Sequence, residues 1–439
     1  MDKFVVEGGV RLEGRVTAAG AKNAVLPMMA AALLADGPLR LERAPNLSDV
    51  RTMLAVLEGL GCEGRREEPS LDGGGGADGG PGALVLETKG EPGVVAPWEQ
   101  VRKMRASVCV LGPLTARAHR AEVSLPGGCV FGVRPIDVHL RGLEALGAKV
   151  TIEGGYVKTE APGGLVGAEV FLGTAFGPSV TGTMNVAMAA TLAKGRTVIH
   201  GAACEPEVSD LCECLVAMGA NIEGIGSPRL EIHGVERLHG ATHRVLADRI
   251  EAGTYLVAGA ITGGRVRVDD CRPGHLAALT ERLREAGFGV ERGEDWMEVF
   301  GEGFAQRARP TDVTTQPFPG FPTDLQAQWM ALMCRADGVS LVTERIYPDR
   351  YMHLPELVRM GARIRRQEAT AVVEGRERLS GAQVMASDLR ASAALVLAGL
   401  VADGTTEIHR VYHIDRGYER IDERLRGLGA KVRREAGGE

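Results

Sequence analysis

Six times along this 439-residue chain a leucine is followed, four residues later, by a glycine that ends a helix-like pattern and opens a strand-like one. The pairs are Leu57 and Gly61, Leu143 and Gly147, Leu215 and Gly219, Leu283 and Gly287, Leu357 and Gly361, and Leu425 and Gly429, with the glycines 86, 72, 68, 74 and 68 residues apart. A glycine in that place suits the left-handed position that stops a helix, and stretches such as Ala148-Lys149-Val150-Thr151-Ile152 then alternate as a strand does. A pattern sustained six times predicts one supersecondary unit in six copies. Alanine-rich apolar helices ending near Gly37, Gly195, Gly264, Gly338 and Gly404 form a second series, each followed by a β-branched stretch such as Arg196-Thr197-Val198-Ile199-His200. Each copy therefore holds two helices and several strands, an α/β (α+β) class, and the alanine-rich helices, apolar nearly all round, belong inside.

The length exceeds one ordinary core, so six copies divide as three and three, with Arg244 to Arg249 near the crossing. The first interval is long because Arg65 to Gly82 carries Asp72-Gly73-Gly74-Gly75-Gly76-Ala77-Asp78-Gly79-Gly80-Pro81-Gly82, a low-complexity insertion predicted to be a flexible surface loop. A composition of 44% hydrophobic and 25% charged residues is that of a soluble globular protein, and a net charge of −6 excludes a general attraction to nucleic acid or anionic membrane. Any anion site must be local. Met1 to Gly9 holds no signal-peptide run and no later stretch spans a bilayer, so a cytosolic protein is expected, its eight scattered cysteines free thiols.

The stretch Leu125-Pro126-Gly127-Gly128-Cys129-Val130-Phe131-Gly132-Val133-Arg134-Pro135-Ile136-Asp137 breaks helix and strand alike while carrying one thiol and one guanidinium. It is read either as an active-site lid, residues 125–135, with Cys129 at its tip and Arg134 as a fixed cation, or as an ordinary turn around a small packed cysteine.

Six motifs in order tip that balance: Gly20-Ala21-Lys22-Asn23-Ala24-Val25-Leu26-Pro27, Lys103-Met104-Arg105-Ala106-Ser107, the Cys129 loop through Arg134-Pro135-Ile136-Asp137-Val138-His139, Phe321-Pro322-Thr323-Asp324, Asp388-Leu389-Arg390-Ala391-Ser392, and Tyr412-His413-Ile414-Asp415-Arg416-Gly417-Tyr418-Glu419-Arg420. Together they resemble the enolpyruvyl transferases that act on UDP-N-acetylglucosamine, over Met1 to about Val432. The resemblance implies a two-domain inside-out α/β barrel, each domain made of three repeated units with buried helices and outer sheets. The N-terminal domain would be 22–247, and 1–21 with 248–439 a discontinuous C-terminal domain.

It also implies a reaction, the first committed step of bacterial peptidoglycan synthesis. The sugar 3-hydroxyl adds to phosphoenolpyruvate and phosphate is then eliminated, with no cofactor and no metal. Phosphoenolpyruvate crowds a phosphate and a carboxylate onto one small frame, so its site needs cations that stay charged without water, which arginine does best. Lys22, Asn23, Arg134, Arg350, Arg390 and Arg416 stand at the family's positions for it. For the nucleotide sugar the matching positions are Asn23, Arg105, Arg134, Pro135, Ile136, Asp137, Val138, Ser179, Val180, Asp324 and Ile346. Catalysis falls to Lys22, to Asp324 as base on the 3-hydroxyl, and to Cys129 as proton donor, whose thiolate can also add covalently to phosphoenolpyruvate. By position alone Asp324 is equally a helix N-cap or first-turn acid. The partners implied are the two small substrates; oligomeric state stays open.

Two features stand apart. Relatives have Ser-Val-Gly-Ala-Thr where this chain has Ser179-Val180-Thr181-Gly182-Thr183, which alters the contact expected with the diphosphate. Cys212 and Cys214 sit close together, yet no second Cys or His pair lies at zinc spacing, and the segment has helical character. Two other readings share the fold: an enolpyruvyl transferase for shikimate 3-phosphate, and a silent paralogue that only binds nucleotide sugar. Lys22-Asn23 and Cys129 speak against the first, and intact Lys22, Cys129, Asp324 and Arg416 against the second.

Overall fold

The structure is a computed structural model that describes residues 2–67, 82–125, 136–303 and 306–436. The chain divides into two compact units, 19–246 and 1–18 with 247–439. These crossings lie close to the 21/22 and 247/248 that the resemblance implies, and hydrogen bonding accounts for Ala21 standing with the 19–246 unit. Ala21 N donates to Leu246 O at 2.8 Å, and Leu246 N donates to Asp210 Oδ2 at 3.0 Å, which ties both junction segments to the 19–246 unit.

Six four-stranded sheets occur among the described residues, three in each unit, and all six share one topology. In the third sheet of the 19–246 unit, Arg196–His200 pairs in parallel with Glu169–Phe171 on one side and antiparallel with Arg229–His233 on the other, and Arg229–His233 pairs antiparallel with Asn221–Glu223. In every copy a buried helix leads into the strand flanked by parallel and antiparallel neighbours and a second helix follows, and in five of the six a hairpin completes the sheet. The parallel edge strand comes from outside that run. Leu238–Arg244 supplies it to the first sheet of its unit, beside Ala35–Glu42, so the last segment returns to the first. In the other unit Glu13–Thr17 pairs in parallel with Arg265–Asp269, while Lys3–Glu7 lies antiparallel between Thr405–His409 and Lys431–Glu435. The N-terminal strand thus takes the place that the second hairpin strand holds in the other five sheets.

The helices expected to be interior are so. Every residue of Arg249–Ile261 and Gln326–Met333 is buried, as is Leu389–Val401 from Arg390 onward, and these three contact one another. Lys22–Ala31, Leu111–Ala118 and Val180–Ala190 fill the same role in the 19–246 unit, inside a separate apolar core. The six repeat glycines end the outer helices with φ of +83° to +104°. After Gly147, the amide of Ala148 reaches back to Leu143 O at 3.0 Å, and Ala220, Phe288, Ala362 and Ala430 do the same to Leu215, Leu283, Leu357 and Leu425. The repeated leucine therefore serves twice, as core side chain and as acceptor for the cap.

The inner helix Arg249–Ile261 ends near Gly264 as expected, through Gly263 at φ +60°. One expectation needs correction. Residues 65–67 of the 65–82 insertion are strand: Cys62–Glu67 pairs with Ala83–Thr88 down to Glu67 and Ala83, because the ladder's hydrogen bonds continue past the last apolar position. Residues 68–81 lie outside the described residues. Within those described, no helix is long and apolar enough to cross a membrane.

Candidate active site

In both units several of the residues singled out from sequence lie at the N-terminal ends of helices, where backbone N–H groups lack intrahelical acceptors and the helix dipole favours negative charge. In the 19–246 unit, Lys22 opens Lys22–Ala31, with Asn23 beside it in the same turn. Lys22 Nζ donates to Asp49 Oδ2 at 3.3 Å, both side chains largely buried. Arg105 opens the turn Arg105–Val110 that runs into Leu111–Ala118. Ile136 precedes Asp137–Ala145, placing Asp137 and Val138 in its first turn. Ser179 caps Val180–Ala190, its Oγ accepting from Gly182 N at 3.2 Å.

The departure at Thr181-Gly182 has a structural counterpart. A Cβ on residue 182 would lie 2.7 Å from Ser179 Oγ and 2.9 Å from Val138, whereas Thr181 turns its hydroxyl to His139 Nε2 at 3.2 Å. Asn185 fixes that imidazole: its Oδ1 accepts from Gly112 N at 2.7 Å, leaving Nδ2 to donate to Val108 O at 3.2 Å and to His139 Nδ1 at 2.9 Å. His139 is therefore the neutral Nε2–H tautomer. Burial, and then the charge of Arg105, push its pKa down to about 3.

In the other unit Asp248 and Asp388 cap Arg249–Ile261 and Leu389–Val401, and Asp324 sits in the turn Thr323–Leu325 that leads into Gln326–Met333. The carboxylate of Asp324 is gripped on both oxygens. Arg350 Nη1 donates to Oδ1 at 2.7 Å, and Arg390 donates to Oδ2 from Nε at 3.3 Å and Nη2 at 3.1 Å. Arg350 also reaches Thr323 Oγ1 at 2.9 Å; Thr323 in turn donates to Glu344 Oε2 at 2.8 Å, and Glu344 Oε1 accepts from Ile346 N at 2.8 Å. Ile346 is thus tied to the same network.

Arg390 has given up nearly all its water, its side chain 1% exposed, and Nη1 has no hydrogen-bond partner among the described residues. Burial acts against its charge, yet Tyr418, Asp324 and Asp248 hold its pKa above the ordinary arginine value. Arg416 ends the turn Val411–Arg416, half-buried, and its charge reinforces burial in lowering the pKa of His413. His353 is brought down to about 4 by burial, with Asp388 opposing and Arg350 assisting.

Cys129, Arg134 and Pro135 lie outside the described residues. The seven cysteines that are described are free, and burial raises Cys109, Cys212, Cys214 and Cys334 to about 12, so these thiols stay protonated at neutral pH. No group of three or more metal-ligating side chains occurs among the described residues. Sequence reasoning missed Asp49, Glu344 and the His139–Asn185 pair. Tyr418 lay within a quoted motif without being assigned a role.

A family profile for EPSP synthase (3-phosphoshikimate 1-carboxyvinyltransferase) matches residues 6–425. A curated UDP-N-acetylglucosamine 1-carboxyvinyltransferase from Anaeromyxobacter sp. (strain Fw109-5) is 53% identical over 435 residues, 99% of this chain and 100% of that protein. Among solved structures, the enolpyruvyl transferase NikO from Streptomyces tendae superposes with a TM-score of 0.85 at 24% identity, covering 99% of this chain and 98% of that one. EPSP synthase from Acinetobacter baumannii gives 0.72 at 19% identity, covering 99% and 100%. At those identities the likeness to the two structures speaks for the fold alone, whereas the profile and the 53% identity place the chain itself: it belongs to the EPSP synthase family of 1-carboxyvinyl (enolpyruvyl) transferases.

Proposed function

We propose that this protein transfers the enolpyruvyl group of phosphoenolpyruvate to the 3-hydroxyl of UDP-N-acetylglucosamine, releasing phosphate, in the bacterial cytoplasm as a step towards peptidoglycan. The observation that carries this reading is the 53% identity, over 99% of the chain, to a protein curated with that activity. The geometry is compatible with it. An anion that binds the unpartnered Nη1 of Arg390 adds a partner without breaking the Asp324 pair, and Arg350 and Arg416 add positive charge in the same unit.

In the proposed reaction Asp324 takes the proton of the 3-hydroxyl as its oxygen bonds to the central carbon of phosphoenolpyruvate, while Cys129 gives a proton to the terminal methylene. The carbon–oxygen bond to phosphate then breaks and the new methyl loses a proton, which restores the vinyl group on the sugar. Lys22, Asn23 and Arg134 are assigned to phosphoenolpyruvate with Arg350, Arg390 and Arg416. Asn23, Arg105, Arg134, Pro135, Ile136, Asp137, Val138, Ser179, Val180, Asp324 and Ile346 are assigned to the nucleotide sugar.

Phosphate release measured with each acceptor tests the substrate. Turnover with UDP-N-acetylglucosamine and none with shikimate 3-phosphate is expected; the reverse would transfer the chain to the sister activity, and binding without release would make it a silent paralogue. The same assay tests Cys129. The epoxide fosfomycin, whose phosphonate imitates phosphate, should alkylate that thiol alone, since burial holds the described thiols protonated. Cys129→Asp should keep turnover and escape the epoxide, while Cys129→Ser, with a far weaker acid, should lose most activity. Modification at another cysteine, or a Ser variant faster than the Asp variant, would remove Cys129 from the acid role.

A further inference from the structure

Arg390 is a buried cation with one side of its fork on Asp324 and Nη1 buried without a hydrogen-bond partner among the described residues, so its usefulness to an incoming anion depends on what stops the guanidinium from turning towards a different acceptor. Beneath it lies Tyr418, the guanidinium carbon 5.2 Å from the ring centroid. That ring is itself held at its far end. Thr254 gives its only hydroxyl proton to Ile250 O at 2.8 Å, so in the 2.8 Å contact between the two hydroxyls Tyr418 is the donor. Gln328 must face the same cluster with its NH2, because Nε2 lies 2.9 Å from Asp324 O, which can only accept; the same nitrogen is 3.1 Å from Thr254 Oγ1 and 3.2 Å from the Tyr418 oxygen. Two backbone carbonyls thus settle both hydroxyl protons and one proton of the Gln328 amide, whose other N–H is shared between the Thr254 and Tyr418 oxygens. The phenol is tied to Arg249–Ile261 through Thr254 and to Gln326–Met333 through Gln328, while Arg390 projects from Leu389–Val401. All three central helices of this unit meet at one guanidinium.

We propose that Tyr418, clamped by Thr254 and Gln328, is a positioning residue that keeps the unpartnered Nη1 of Arg390 aimed at the anionic three-carbon substrate and so sets the affinity for it. The inference rests on the function proposed above. It assigns to this trio a role in binding phosphoenolpyruvate and none in proton transfer or in binding the sugar nucleotide.

Tyr418→Phe removes the one oxygen through which the clamp acts and leaves the ring. Expected is a rise of about tenfold in KM for phosphoenolpyruvate, the scale of a weakened contact to a charged group, with kcat and KM for UDP-N-acetylglucosamine each changed less than about twofold. Thr254→Val should do the same and Thr254→Ser should restore the wild-type value, which keeps the test intact if one variant folds poorly. In an Arg390→Lys background Tyr418→Phe should add less than about twofold, since the tyrosine acts through that arginine. An unchanged KM in both clamp variants, an equal rise for both substrates, or an undiminished effect beside Arg390→Lys would overturn the proposal. Should the wild type release no phosphate with the sugar nucleotide, the function reading fails alone, and calorimetric binding of phosphoenolpyruvate to the same variants decides the clamp by the same ratio.

Discussion

A neutral histidine packed between an amide and a hydroxyl makes folding sensitive to pH in a direction that can be worked out. Protonating His139 at Nδ1 would set that proton against the NH2 of Asn185, whose orientation Gly112 N and Val108 O fix. The folded pKa of about 3 lies below the ordinary 6.5, so the unfolded chain binds the extra proton first as pH falls. The stability is complete above the unfolded value and is lost progressively between about 6.5 and about 3, at a slope of up to roughly 1.4 kcal/mol per pH unit. Urea unfolding of wild type and His139→Gln between about pH 6 and about pH 4.5 should show a flatter dependence in the variant, and parallel curves would mean that this histidine charges freely in the folded state. None of this network was legible beforehand. Asn185, His139 and Gly112 are far apart in sequence and belong to no shared pattern, so only their meeting in space gives them meaning. Asp324 and Arg390 were legible because each lies in a compact motif, but their mutual grip across 66 residues was not.

Elements were far more legible than contacts, because the signals that stop and start them are local. The six leucine–glycine pairs announced six outer helices, and the alanine-rich series announced the inner ones. The supplier of each parallel edge strand was hidden, since Leu238–Arg244 and Ala35–Glu42 meet only after the unit has closed on itself. Two glycines separate the two reasons a repeat protein keeps this residue. At Gly147, φ is +89° and a Cβ would meet nothing within 4 Å, so Gly147→Ala should cost only the conformational term, about 1 kcal/mol. Gly112 has ordinary helical backbone, yet a Cβ there would lie 2.3 Å from Asn185 O and 2.4 Å from its Oδ1. Gly112→Ala must push apart Leu111–Ala118 and Val180–Ala190 and should cost several times as much, about 3 kcal/mol or more. Denaturant midpoints of the two variants check the ranking, and similar losses would refute the division into strained and crowded glycines.

At the scale of the whole molecule the chain carries two separate cores, and the N-terminal strand is the place where its linear order and its architecture part company. Lys3–Glu7 is an inner strand, hydrogen-bonded on both sides to segments some four hundred residues away in sequence, Thr405–His409 and Lys431–Glu435, and Phe4 and Val6 are fully buried in the core of that unit. A hairpin normally meets its partner across a few residues, so here the closing of the sixth sheet depends on the longest loop in the chain. Phe4→Ala should remove about 3–5 kcal/mol of side-chain packing from the unit made of 1–18 and 247–439. Because the 19–246 unit has its own apolar cluster, the loss should stay in the first unit. Hydrogen exchange should reveal faster amide exchange in Thr405–His409 and Lys431–Glu435, with Lys149–Glu153 and Tyr156–Glu160 unchanged. Equal loss of protection in the Lys149–Glu153 hairpin would show that the two cores unfold as one, and that strand closure in one unit governs the stability of both.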